Sequence, residues 1–322
     1  MKHAFLFIML VVNVAAFSYP IQPRPLRKLI QESEFIIYGT VIRIGKAKPS
    51  PSRWESDVAV ILIKEVLQGR IKADSIKVYY SSGMICPAPP QYYEGTDIIV
   101  FLDRDKKQKD VYYTHALSYG VKNCFIPDAY TIYKSRITEM QQILTLQDET
   151  EQQEEVIRWL VKCAVNPFTR WDGLYELSPK SDFMSYYDHS CDNSLLMYLT
   201  QNDKDSLAIA FSKIDDTGYE DLGLADIVVT YNRQLVFDVL KKNLIALEED
   251  NKWYLFEIMQ RLAMLSGDNE LEKISKQYEP LRYNYDDKQA GKKMERLLLQ
   301  FIERLKKAEL KKLIVVNGEF NS

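Results

Sequence analysis

The chain has 322 residues, 27% of them charged, with a formal net charge of -3. That balance excludes a dedicated nucleic-acid surface, which needs clustered lysine and arginine. The length exceeds what one small core organises, so two domains are the natural expectation.

Residues 1–18 read as a cleavable signal peptide. Lys2 and His3 form a short basic start, and Ala4 to Val14 is apolar except for Asn13. Small residues then occupy cleavage positions, at Val14-Ala15-Ala16 or Ala16-Phe17-Ser18. The apolar run is short for a membrane span, and Pro20, Pro23 and Pro25 follow at once. An uncleaved anchor is the alternative; the absence of cysteine at the cleavage point argues against a lipoprotein. The expected destination is secreted or periplasmic, with no transmembrane span in the mature chain.

Residues 19–128 carry strand signals. Leu26 to Ile30 reads as a short helix with Leu26, Leu29 and Ile30 on one face. Phe35 to Ile44 is β-branched and aromatic, and Gly39 in its middle marks a bulge or sharp bend. Further strands are predicted at Val58–Ile63, Ser75–Tyr80, Ile98–Leu102 and Val111–Leu117. Five short strands with turns between them suit a Greek-key barrel of the OB type.

The motifs in this stretch are Tyr38-Gly39-Thr40-Val41, then Glu65-Val66-Leu67-Gln68-Gly69, Cys86, Tyr93-Glu94-Gly95-Thr96-Asp97 running into Ile98 to Leu102, and Cys124. In that order they resemble the netrin-like module of tissue inhibitors of metalloproteinases and its relatives in secreted bacterial proteins. The resemblance covers about Glu34 to Cys124 and implies an OB-type fold. Animal inhibitors of that family chelate the protease zinc through an N-terminal cysteine. Here the first cysteine is Cys86, so that chemistry does not carry over. In an oxidising compartment four cysteines are expected as two disulfides, against the alternative of buried thiols. Cys86 with Cys124 would close a loop of about 39 residues, worth roughly 4 kcal/mol on the chain-entropy model.

Residues 129–155 read as a connecting helix, about Tyr130 to Leu146, followed by an acidic stretch from Gln147 to Glu155. The stretch is a linker or a helix N-terminus, where Thr150 with Gln153 fits a capping box and negative charge suits the dipole. Residues 156–322 read as all-α, either a HEAT-like stack of hairpins or a plain bundle. Helical runs are predicted at Leu195–Leu199, Leu207–Ile214, Leu222–Val229, Leu235–Leu247 and Trp253–Leu265. The last, about Asp287 to Leu313, aligns Met294, Leu297, Leu298, Phe301, Leu305 and Ala308 on one stripe. Its other face is basic, so the helix either docks on its neighbours or touches an anionic membrane surface.

Chemistry is sparse. Asp188-His189-Ser190-Cys191-Asp192 brings a carboxylate, an imidazole and a thiol together, so His189 with Asp188 is a candidate for a metal site or an activated thiol. Adjacent residues rarely converge on one ion, and a Cys163–Cys191 disulfide is the simpler reading. His115 falls within a predicted strand as a surface or packing residue. The chain lacks a G-x-S-x-G elbow, a P-loop and a Rossmann glycine pattern. Tyrosine pairs put one ring on each side of a strand, which makes Tyr79, Tyr92 and Tyr112 candidates for ligand contact on an OB barrel. The reading is a non-enzymatic extracytoplasmic protein without a cofactor, binding a protein or a surface glycan. A protease inhibitor lacking the N-terminal cysteine, or an unrecognised hydrolase, are the alternatives.

Overall fold

In a computed structural model, residues 23–48, 55–83, 88–108, 110–177, 193–247, 254–283 and 288–310 are described. The β-branched and aromatic runs form the strands that their composition favours. These are β1 (Phe35–Lys46), β2 (Asp57–Gln68), β3 (Ser75–Tyr80), β4 (Asp97–Arg104), β5 (Val111–Thr114) and the short β6 (Val121–Asn123). Their order is β1-β2-β3-β5-β4-β6, and β1 also pairs with β4, which closes a five-stranded barrel. The β3–β5 pair is parallel and the remaining pairs are antiparallel. This is an OB-type barrel.

Closure rests on β1. One edge pairs with β2 from Ile36 to Lys46, and the other with β4 from Phe35 to Thr40. Closing a sheet on itself needs a strand that coils, and on β1 the register shifts that allow this flank Gly39. A Cβ there would lie 2.3 Å from the Leu62 carbonyl oxygen and 2.9 Å from Ile61 Cγ2, so only hydrogen fits. Side chains alternate across the wall. Ile37, Val41, Ile61, Val78, Ile98, Val100 and Leu102 fill the interior with Phe35, Tyr80, Tyr92 and Tyr112. On the outside, Ile36, Ile99 and Phe101 are fully buried.

Helix α1 (Leu26–Glu32) buries Leu26, Leu29 and Ile30. Helix α2 (Pro127–Ile143) buries Ala129, Tyr133, Ile137, Met140 and Ile143 at helical spacing. It lies against β2, β4 and α1. Two expected boundaries moved. β5 stops at Thr114 because Ala116 and Leu117 both take left-handed φ, 54° and 55°. β6 is an additional three-residue strand.

The described residues divide between Gln147 and Asp148 into two compact units. The second is an all-α bundle: α3 (Glu149–Ala164), α4 (Arg170–Leu177), α5 (Gln201–Ser212), α6 (Asp221–Val228), α7 (Arg233–Ile245), α8 (Leu255–Ser266), α9 (Asn269–Tyr278) and α10 (Lys288–Leu305), with 3-10 turns at Asn193–Tyr198 and Glu279–Tyr283. The acidic stretch forms the first turns of α3, and its cap is Asp148, which accepts from the backbone N–H of Thr150 and Glu151. At the centre Trp159 and Phe211 are buried, and Arg170 pairs with Asp221. The Arg170 Nε donates to the Ala164 carbonyl at 3.2 Å, and Gly218 N–H donates to Asp221 at 2.6 Å. This pair is therefore hydrogen-bonded as a buried charge must be.

Among the described residues no disulfide forms, against the expectation of two: Cys124 and Cys163 are buried thiols. Cys163 is fully enclosed on α3, and Cys124 Sγ donates to the Lys122 carbonyl at 3.7 Å. Cys86 and Cys191 lie outside the described residues.

Gly39→Ala will destabilise the barrel by about 1–3 kcal/mol, the usual cost of forcing atoms into a packed site. Faster amide exchange in β1, β2 and β4, with α3 to α10 unchanged, is the expected signature.

Candidate functional site

The outer wall of the barrel carries a charged and aromatic network that the sheet register assembles. Alternation along β1 turns Tyr38 and Thr40 outward together, and Thr40 pairs with Asp97 at the start of β4. Opposite them, β2 has a bulge: Tyr38 pairs with Glu65 and Gly39 with Ile63, leaving Lys64 as the extra residue. A bulge re-aims side chains, and both Lys64 and Glu65 engage groups on this wall. Asp97 accepts from Thr40 Oγ1 at 2.6 Å, from the Tyr38 hydroxyl at 3.0 Å and from Lys64 Nζ at 2.6 and 2.8 Å.

A second set mirrors the first. Tyr130 of α2 donates its hydroxyl to Glu65, and Lys134, one turn on, donates to the same carboxylate at 2.8 Å. The Tyr38 and Tyr130 rings stack with centroids 3.8 Å apart and planes 18° from parallel. Lys64 lies 5.3 Å from the centre of the Tyr38 ring, and Lys134 lies 5.7 Å from that of Tyr130. Burial and the hydrogen bond to Asp97 push the Tyr38 hydroxyl up to about 12. Burial also raises the Asp97 carboxyl, but the bonds from Lys64, Thr40 and Tyr38 outweigh it and hold it below the ordinary value. Lys134 and Tyr130 depress Glu65 likewise. At neutral pH the tyrosines stay neutral and the carboxylates charged. The network therefore fits α2 to the barrel and forms a fixed polar surface, with no proton poised for transfer.

Beside it runs an exposed apolar strip. Cys124 N–H donates to the Asp97 carbonyl at 2.8 Å, which brings Phe125 next to the network. Phe125 is 70% exposed, Ile126 50% and Tyr93 46%. The Phe125 and Tyr93 rings meet at 6.4 Å, tilted by 48°. Ile126 is extended, as the residue before Pro127 must be. The Tyr93 turn is tied to β1 through Gly95 N–H to the Val41 carbonyl and Val41 N–H to the Thr96 carbonyl. The next β1 residue, Ile42, is the extra residue of another bulge and is exposed, as is Leu62 across from Thr40.

The tyrosines predicted from the sequence fall elsewhere. Tyr92 and Tyr112 are in the barrel interior, Tyr92 sharing a 2.5 Å hydrogen bond with Thr114 and Tyr112 meeting Phe35 edge-on. Tyr79 is half-buried on β3. His115 Nδ1 lies 2.7 Å from Asp103 and Nε2 3.4 Å from Glu32, which also accepts from Arg24. Its imidazole pKa is raised, chiefly by the Asp103 hydrogen bond. Asp188 and His189 lie outside the described residues. Among the described residues no group of three or more His, Cys, Asp or Glu is placed to hold a metal ion.

In the helical unit, a groove of about 600 Å³ is lined by Val165, Pro167, Ile209, Lys213 and Asp216, with Arg170 and Asp221 among its walls. Those two charges satisfy each other. No protein-family model matches the chain, and no curated protein or solved structure matches it.

Because Asp97 has a lower pKa folded than unfolded, its contribution to stability is complete above the unfolded value near pH ~4 and is lost as pH falls below it. Asp97→Asn will cost about 1–3 kcal/mol at pH 7. It will also flatten the acid limb of a stability-against-pH curve, read by urea unfolding between neutral pH and the acid transition.

Proposed function

We propose that this chain is an extracytoplasmic, non-enzymatic binding protein whose barrel takes a protein partner on its outer wall. The observation that carries this reading is the exposed aromatic pair of Phe125 and Tyr93 beside Ile126. Aromatic side chains left in water next to hydrogen-bonded charged groups have the anatomy of a protein interface, an apolar centre with a polar rim. The Asp97 and Glu65 networks supply that rim. A basic start, an apolar run and small residues at the N-terminus support placement outside the cytoplasm. A photo-crosslinker installed beside the strip, in place of Gln91, would capture the partner from the native envelope fraction. Changing Phe125 and Tyr93 to serine should weaken that capture by 2 kcal/mol or more, on the order of thirtyfold, while leaving thermal stability intact. An unchanged set of captured proteins would place the interface elsewhere.

A second reading, protease inhibition by a netrin-like module, is supported by the order of motifs along the barrel. The Glu65-to-Gly69 segment leaves β2 at Gly69, just past the strand's last residue, where φ is +81° and a Cβ would strike the Phe35 ring at 2.4 Å. Small-residue turns of this kind tie the motif to the fold and not to a reaction. Metalloprotease rates that stay constant in a large excess of the protein would remove this reading. Slowing of one enzyme, relieved by Phe125→Ser, would join it to the first.

A further inference from the structure

We propose that the solvent face of α10 is a docking surface for an anionic phospholipid bilayer. The apolar stripe of α10, Ala290, Leu297, Leu298, Phe301 and Leu305, is buried against its own unit. What remains outside is mostly basic, with Glu295 and Glu303 its acidic residues. Lys288, Lys292, Lys293, Arg296 and Lys307 are exposed, and none of them forms an ion pair among the described residues.

The spacing is what singles out this face. Lys288, Lys292 and Arg296 stand at i, i+4 and i+8, in one row about 12 Å long at 1.5 Å per residue. Like charges at that spacing repel and weaken a helix. The neighbouring helix follows the opposite rule: on α9, Glu272 pairs with Lys276 at 2.6 Å. The carboxylate of Glu303 on α10 is already engaged by Lys306 at 2.7 Å, and Arg304 by Asp268 at 2.7 Å. Glu295, three residues after Lys292, forms no ion pair with the row among the described residues, so Lys288, Lys292 and Arg296 keep much of their repulsion in a chain whose net charge is -3. Sequences break local rules where function repays them, and a negatively charged surface relieves this one. Leu299, 58% exposed and one turn beyond Arg296, gives the row an apolar contact at its end. A bilayer with anionic headgroups offers charge along the whole row and a boundary layer for the leucine. Since the larger apolar face is already covered, attachment is electrostatic and peripheral. This surface is independent of the barrel interface and stands or falls without it.

The test uses the chain from residue 19, so that the apolar leader contributes nothing, with vesicles of phosphatidylcholine alone or mixed equally with phosphatidylglycerol. Co-sedimentation should be selective for the mixed vesicles and should vanish near 1 M salt, where screening falls to about 3 Å. Changing Lys288, Lys292 and Arg296 together to glutamate should cut partitioning by on the order of a hundredfold, about fivefold or more per cation, with unchanged circular dichroism. If that variant fails to fold, Lys292→Gln alone, with a several-fold loss, and the salt dependence of the native chain carry the test. Equal sedimentation with both kinds of vesicle, persistence at 1 M salt, or binding to a sulfated glycan with none to vesicles would overturn the proposal.

Discussion

The contact on which the barrel turns is the approach of the Gly39 backbone to the Leu62 carbonyl. A strand in a flat sheet also serves a neighbour on each edge. To close the sheet on itself β1 has to coil, and the small residue at Gly39 gives room for it beside the register shifts. Bent, it pairs with β2 along its length and with β4 along its first half. The sheet then has no open edge between those two strands, and its interior closes around Ile37, Ile61 and Val100. Closed barrels avoid the exposed edges that invite pairing with other chains.

The same bend explains the outer wall. Bulges at Lys64 and at Ile42 lie on either side of Gly39 in the pairing of β1 with β2. They absorb the change of direction, and each turns a side chain outward that a regular ladder would have placed otherwise. One of them delivers a lysine to Asp97, and the other leaves an isoleucine in water. The polar network and the apolar strip are thus two consequences of how one strand changes direction. Hydrogen bonding on the one side gives a rigid border, because each carboxylate is held by a lysine and a tyrosine together.

Much of the fold was legible in the residues. Gly39 inside a β-branched run announced the bend, and the apolar stripe of the last helix is buried as its spacing required, with Met294 half-buried. Other features were not legible, for reasons that are physical. Ala116 and Leu117 are residue types that rarely take left-handed backbone, so nothing marked the early end of β5. Val121 to Asn123 is too short to show a period. Compartment indicates which bonds cysteine is permitted to form; whether two Cβ atoms approach closely enough is settled by packing, and packing leaves Cys124 and Cys163 as buried thiols. At the candidate site, Asp97 stood in a motif leading into a predicted strand, but its partners come from β1 and β2, and register is not written in any one segment. Tyr92 and Tyr112 looked like surface rings because a pair puts one on each face. Here the core took both.

The closing pair of strands also sets how the chain must assemble. Phe35 has to find Leu102 before the barrel exists, whereas the bundle joins many of its helices to the next in sequence. Loop-closure entropy makes such distant pairing slow and neighbouring helix contacts fast. Once the whole chain is available, the helices of the bundle can therefore pack while β1 is still searching for β4. Until that pairing forms, both strands have unpaired edges, the feature that invites pairing with another chain.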